Sequence, residues 1–379
     1  MPPKRGKKVG GEADLAPILS VGTTFSNPIV RDTVEVTKYI GNGGFGRIYE
    51  GKLVNKKMKI CIKMEKICSS GLFVEKENFM RFLKKDLLEK WFKKEFISLP
   101  YLVCFGIYTI NSTDKLRYLA MPWYEEVLSN YINQKVDLKL TQEEAKKVSL
   151  CVLQALEYLH NVKISHRDIK KENLMLVNKN CLDKVVLIDL GISQFHTRFI
   201  ETINPKAKHN GTLLYTSTDA HIGREGVFRS DLEIFGYNLI EWLSGSLPWK
   251  GLESKPEEVY KMKQAIVNDP KTEINLLLPS MDTSFIKGLF ILSNSLSYCE
   301  VPPYNNLKKL LKDWVITAKN CTKKISSKKE LTEIRSSCKE NEALSSKNVK
   351  CKPTTNLNEI RNDLKRSARN CGKRVDYTE

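Results

Sequence analysis

From Thr33 to Leu53 apolar and polar residues alternate, V-E-V-T-K-Y-I and then R-I-Y-E-G-K-L, around four glycines, Gly41, Gly43, Gly44 and Gly46. A period of two marks a half-buried strand, so this stretch predicts strand, glycine loop, strand. A third strand is predicted over Lys59 to Met64. Helical spacing follows over Leu72 to Leu83, with Glu75, Phe79, Phe82 and Leu83 on one face, and over Asp86 to Phe96, with Leu87, Leu88, Trp91 and Phe92 on the apolar side. Leu102 to Ile110 and Leu116 to Met121 form a predicted hairpin around N-S-T-D. Beyond it the period becomes mostly helical. Thr141 and Glu144 have the spacing of a capping box before an amphipathic helix to His160. Leu174 to Val177 and Val185 to Ile188 read as two short strands. Helices are then expected over Asp231 to Leu243, stopped by G-S-L-P-W, and over Phe285 to Leu296 and Tyr304 to Trp314. The class is α+β: a small β-rich part with one key helix, then a larger helical part.

Composition divides the chain further. With 379 residues, 41% of them hydrophobic, there is material for two lobes and tails. Residues 1–28 hold no sustained period and are expected to be a flexible basic arm, with Lys4, Arg5, Lys7 and Lys8 as a nuclear-import or phosphate-binding cluster or simply a solvated terminus. The folded domain is expected over 29–318, its smaller lobe over about 29–121 and its larger over about 122–318. Residues 319–379 carry sixteen Lys and Arg against eight Asp and Glu, with Tyr377 the sole aromatic, and are expected to be a disordered basic tail.

The formal net charge of +18 suits an acidic partner such as chromatin, nucleic acid, acidic protein segments or an anionic membrane surface, or simply a lysine-rich soluble protein. Ten cysteines without a C-x-x-C pair suggest neither a zinc site nor a disulfide framework, and fit a reducing intracellular compartment. The first residues, M-P-P-K-R-G-K-K, lack an apolar signal core, and no run approaches the roughly 20 apolar residues of a spanning helix. A soluble protein is expected.

The chemistry concentrates in I-S-H-R-D-I-K-K-E-N-L-M-L-V-N-K-N-C-L-D-K-V-V-L-I-D-L-G, residues 164–191. Any isolated Asp is more often a turn cap than a catalyst. Here H-R-D-x-K-x-x-N is followed by D-x-G, and the whole resembles the catalytic centre of a protein kinase. The resemblance implies a bilobal kinase fold and use of ATP and magnesium. Asp168 would accept or orient the proton of the attacking hydroxyl, Lys170 would sit near the transferred phosphate, and Asn173 and Asp189 would hold magnesium. His166 reads as a packing residue of the loop rather than a base.

Upstream, a dinucleotide-binding G-x-G-x-x-G would run into a helix, whereas this glycine loop runs into a strand, as in kinases. Its small residues would let backbone N–H groups close over phosphates, with Phe45 shielding the site. Lys63 would reach the α- and β-phosphates, fixed by an ion pair with Glu75; Glu77 lies off the apolar stripe. Met121 would close the back of the adenine pocket, with Ile40, Ile48, Cys61 and Met175 as walls or plain core. Thr212 would bond Asp168 and Lys170, Asp219 stands in for the Glu of Ala-Pro-Glu, and Asp231 would brace the catalytic loop.

G-G-F-G-R-I-Y, L-F-V-E, L-L-E-K-W, H-N-G-T-L-L-Y-T-S-T-D-A-H and R-S-D-L-E-I-F-G-Y, spread from about Thr33 to Trp314, resemble the vaccinia-related kinases, Ser/Thr kinases of the casein kinase group. That family usually has His-Gly-Asp and Asp-Tyr-Gly, where this chain has Arg167 and Leu190; its hinge, W-Y-E-E-V-L, also departs. An arginine beside the catalytic Asp often pairs with a phosphate, so phosphorylation of Thr197 or Thr202 is expected to tune activity. The resemblance implies a nuclear Ser/Thr kinase acting on chromatin proteins such as histones and barrier-to-autointegration factor. Two rivals are an inactive kinase-fold scaffold working through its basic tails, and a chromatin- or nucleic-acid-binding protein.

Overall fold

The computed structural model describes residues 15–316 apart from 44–45, 69–70, 94, 112–113, 199–200 and 210. The chain divides into a unit of residues 1–318 and a second of 319–379. The second unit lies outside the described residues, as do Lys4, Arg5, Lys7 and Lys8.

Six antiparallel strands build the first sheet: β1 (Thr24–Asn27), β2 (Asp32–Asn42), β3 (Arg47–Leu53), β4 (Met58–Lys66), β5 (Cys104–Thr109) and β6 (Lys115–Pro122). Their order is β1-β2-β3-β4-β6-β5. On β4, Ile60, Ile62 and Met64 join a core of Val34, Val36, Tyr49 and Tyr118. Alternation along the strand sends Cys61 and Lys63 to the opposite face.

The described part of the arm expected over residues 1–28, residues 15–28, packs on the sheet. β1 pairs with β2, Ala16 and Leu19 are buried in the same core, and the Arg47 guanidinium donates to the Ala16 carbonyl. Two apolar side chains leave no period to read, yet they join the core of the sheet beside Tyr49.

Helix α1 (Gly71–Phe82) buries Glu75 and Phe79. Helix α2 (Lys85–Phe92) ends four residues earlier than its pattern suggests, because Lys93 takes a φ of 56°. Leu88 and Phe92 are buried there, while Leu87 and Trp91 stand partly in solvent.

The second lobe opens with β7 (Glu126–Val127), α3 (Leu128–Asn133) and α4 (Gln142–Asn161). The capping box of α4 is complete, with Glu144 N donating to Thr141 Oγ1 (3.2 Å) and Thr141 N to Glu144 Oε2 (2.8 Å). Strands β8 (Ile164–Ser165), β9 (Leu174–Leu176), β10 (Val185–Leu187) and β11 (Gln194–Phe195) follow. β9 pairs with both β7 and β10, and β8 with β11.

The remaining helices are α5 (Thr218–His221), α6 (Phe228–Ser244), α7 (Pro256–Asn268), α8 (Pro270–Leu277), α9 (Ser284–Ser295) and α10 (Tyr304–Asp313). Every residue of α6 from Ser230 to Leu243 is buried, so it is the axis on which this lobe is built. Gly245, at a φ of 87°, ends it in the left-handed conformation that glycine adopts without a Cβ penalty. No helix among the described residues is long and apolar enough to cross a membrane.

Candidate active site

The loop from β8 to β9 is shaped from beneath by Asp231. Its Oδ2 accepts from His166 N (2.7 Å) and from the His160 ring (Nε2, 2.9 Å), and its Oδ1 accepts from Arg167 N (2.7 Å). Asn238, two turns along α6, donates to the Ile169 carbonyl at 2.7 Å. These bonds hold Arg167 at a φ of 72°, and Asp189 lies at 69°. Such conformations cost on the order of 1–3 kcal/mol outside glycine and persist only where the surroundings enforce them.

Three side chains converge on the Asp168 carboxylate. Thr212 Oγ1 donates to Oδ1 at 2.9 Å, and Lys170 Nζ and Asn173 Nδ2 donate to Oδ2 at 2.7 and 3.0 Å. Lys170 also donates to Thr212 Oγ1 at 3.2 Å. The Asn173 amide nitrogen donates in addition to the Asp168 carbonyl (2.8 Å). With the nitrogen committed, the amide oxygen is the atom left to ligate a cation.

Lys63 Nζ donates to Glu75 Oε1 and Oε2 at 2.7 and 3.0 Å and lies 3.7 Å from Asp189 Oδ1. One cation thus ties the sheet, α1 and the strand end of β10 together. Burial opposes its charge, but the Asp189 and Glu75 carboxylates outweigh that and raise the Lys63 pKa above its ordinary value. Burial likewise opposes the Asp189 charge, and Lys63 and the Gly191 N–H hold its pKa below the usual carboxylate value. Ile188 N donates to the Asn173 carbonyl (2.8 Å), linking the two segments, and a charged carboxylate and an amide oxygen are hard-oxygen donors of the kind magnesium takes.

His166 is fully buried. Its Nε2 faces the Ile188 carbonyl (3.2 Å) while Nδ1 accepts from Asp168 N (3.3 Å), which is the pattern of the neutral ring with the proton on Nε2. Burial lowers its pKa, in keeping with a packing role.

Strand, glycine loop, strand is the observed arrangement of β2 and β3. Gly43 N donates to Gly46 O (2.7 Å), and a Cβ on Gly46 would fall 2.2 Å from the Met64 carbonyl. Gly44 and Phe45 lie outside the described residues. Cys61 pairs with Met121 between β4 and β6; Met121 is buried, Ile48 and Met175 are half-buried, and Ile40 is 46% exposed. Glu77 pairs with Lys76 (3.0 Å) and takes no part. Asp219 is buried under Arg224 (2.6 Å), Arg229 (2.9 and 3.0 Å) and Ser230 (3.2 Å), an ion-pair cluster at the place of the missing Ala-Pro-Glu glutamate.

Sequence reasoning missed Glu241, Tyr215 and Lys263. Glu241, on α6, accepts from Lys171 Nζ and Tyr215 OH, both at 2.7 Å, joining the catalytic loop to the segment after Thr212. The polar position in N-L-I-E-W-L was the available signal.

A protein kinase domain model matches residues 34–334. The chain belongs to the protein kinase family. Its relatives place it in the vaccinia-related branch. It is 36% identical over 321 residues to serine/threonine-protein kinase VRK1 of Caenorhabditis elegans, covering 83% of this chain and 52% of the relative. It is 32% identical to the probable serine/threonine-protein kinase FPV212 of fowlpox virus, covering 76% of this chain and 95% of that one. Nucleosomal histone kinase 1 of Drosophila melanogaster is 30% identical, with 76% of this chain and 48% of the relative covered. The chain spans about half the length of the first curated relatives it matches. The solved structure of vaccinia related kinase 3 superposes with a TM-score of 0.67 at 22% identity, covering 84% of this chain and 94% of that chain, a likeness of fold.

Proposed function

We propose that this chain transfers the γ-phosphoryl group of ATP to serine and threonine hydroxyls of proteins. The observation that carries the reading is the convergence on Asp168: one carboxylate, ordered by Thr212, Lys170 and Asn173, at the foot of a loop braced by Asp231. Asp168 accepts the hydroxyl proton as the oxygen attacks, and Lys170, already bonded to it, neutralises charge on the phosphoryl group in flight. Lys63, its position fixed by Glu75, binds the α- and β-phosphates. Magnesium, when bound, neutralises phosphate charge, and Asn173 and Asp189 are the residues that would hold it. The glycine loop covers the phosphates, and Cys61, Met121, Ile48, Met175 and Ile40 border the base.

The basic balance and the relative named a nucleosomal histone kinase support a nuclear location and chromatin substrates such as histones, and the family resemblance adds barrier-to-autointegration factor as a candidate. Regulation by an activation-segment phosphate belongs to the same reading. Arg167, Arg224 and Thr202 line one cavity of about 300 Å³, and Thr197 is not part of its lining, so Thr202 is the favoured site.

The test is transfer from labelled ATP with magnesium to casein and histone, wild type against Asp168→Ala. Loss of a proton acceptor of this kind removes about 10²–10⁴-fold in rate. Transfer by the wild type that falls this far in the variant, with ATP binding retained, supports the enzyme; a folded, ATP-binding wild type that transfers nothing sinks it in favour of the scaffold.

A further inference from the structure

Lys263 has no solvent exposure, and the reaction just described does not use it. It reaches from α7 to the underside of the segment Gly211–Ser217, which carries Thr212. Its Nζ donates to the Leu213 carbonyl at 2.8 Å and the Thr216 carbonyl at 2.6 Å. Between them, the Leu214 carbonyl accepts from Trp249 Nε1 at 2.8 Å. The Thr212 carbonyl is taken by the segment itself, through Tyr215 N, Thr216 N and Thr216 Oγ1. The ammonium also lies over the rings of Tyr237 (5.0 Å) and Trp249 (5.3 Å) and 3.4 Å from His221 Nε2.

We propose that Lys263, which touches none of the reacting groups, is the positioning residue for the acceptor-facing segment Gly211–Ser217 and, through Thr212, for Asp168. The inference rests on the phosphoryl-transfer reading of that site. Its physical basis is that a segment with one face toward a protein substrate cannot satisfy its carbonyls on that face, so they must be satisfied from behind. A two-carbonyl clamp fixes the distance between Leu213 and Thr216, and hence the direction in which Thr212 Oγ1 points.

A lysine is an expensive way to do this. Burial pulls its pKa down to about 7 against the pull of Glu233, and Glu233 is itself pushed up to about 7 by burial. An apolar side chain of similar volume would fill the space without that desolvation but would leave both carbonyls without a donor. Packing alone therefore does not account for Lys263, whereas donors aimed at two carbonyls do. Tyr215 adds a second restraint from the side, its hydroxyl on Glu241, so the segment is held at four residues in succession.

The experiment compares the full chain with Lys263→Met. Displacement of a bound partner by about 1 Å can cost on the order of 10²-fold. The expected result is a fall of about 10- to 100-fold in kcat/KM for the protein substrate, with KM for ATP unchanged, a lower melting temperature from the two carbonyls left without a donor, and faster amide exchange across residues 211–217. Wild-type kcat and KM for the protein substrate, together with unchanged exchange in that segment, would overturn the proposal. Should Lys263→Met fail to fold, Lys263→Leu, which likewise carries no donor, is judged by the same criteria. If the wild type transfers nothing, the catalytic reading fails on its own, and the exchange measurement still decides whether Lys263 holds the segment.

Discussion

Arg167 stands where the vaccinia-related kinases usually have glycine, and at a φ of 72° a glycine would rest more easily. Keeping an arginine there makes sense if its side chain has work to do in the cavity it shares with Thr202 and Arg224. Arg224 is already drawn toward Glu201 (3.2 Å), the neighbour of Thr202, so the segment approaches this cavity before any modification. Thr202→Ala is expected to slow transfer by about fivefold or more, within the usual range of coupling between sites, and Thr197→Ala to leave it unchanged. In an Arg167→Gly background the Thr202 substitution should then make no further difference; equal rates for wild type and Thr202→Ala would remove the idea. Residues such as Lys63, Asp168, Asn173 and Asp189 were legible because their spacing along the chain is itself the signal. Lys263 was not: its partners are main-chain carbonyls about fifty residues earlier, and nothing in V-Y-K-M-K-Q separates the buried lysine from its exposed neighbour Lys261.

Elements were read well where a period ran long and poorly where a single residue decided. The hairpin of β2 and β3 and the long helix α4 follow from alternation and from a capping box. The early end of α2 hangs on one φ angle at Lys93, which no pattern announces. Helix α5 is only four residues long and owes its place to Asp219 rather than to propensity. Burial opposes the charge of that carboxylate, but Arg229 and Arg224 outweigh it and hold the pKa below the ordinary 3.8. Asp219→Asn would leave Arg229 without its anion and Arg224 with Glu201 alone, and should cost about 3–5 kcal/mol. Because the folded-state pKa is the lower one, the carboxylate's contribution is complete above the unfolded value and is lost as pH falls through the folded one. Urea melts should accordingly show a gap between wild type and variant that is constant near neutrality and closes in acid below about pH 4. A gap independent of pH would mean that Asp219 acts through shape alone.

At the scale of the whole molecule, the last described turn is tied back to the body. Lys146 donates to the carbonyls of Lys312 (2.7 Å) and Trp314 (2.8 Å), and the Trp314 indole donates to Asp282 O (2.7 Å). Among the described residues the helical lobe is therefore tied off at Trp314. A chain ending at Ala318 is expected to phosphorylate casein at the wild-type rate and to lose most of the salt-sensitive part of its affinity for polyanions. Casein phosphorylation that collapses on truncation would show the tail to be part of the catalytic unit.

Helix α6 serves both the Asp168 loop and the segment after Thr212 from one rod. Asp231 and Asn238 set the catalytic loop, while Glu233 receives Thr218 N (2.7 Å) and Glu241 receives Tyr215 on the acceptor side. These four positions act like teeth on a gear whose phase is set by the helical repeat. Because the two sets alternate along the helix, one residue inserted between Asp231 and Glu241 would turn all that follows by about 100° and split at least one of them.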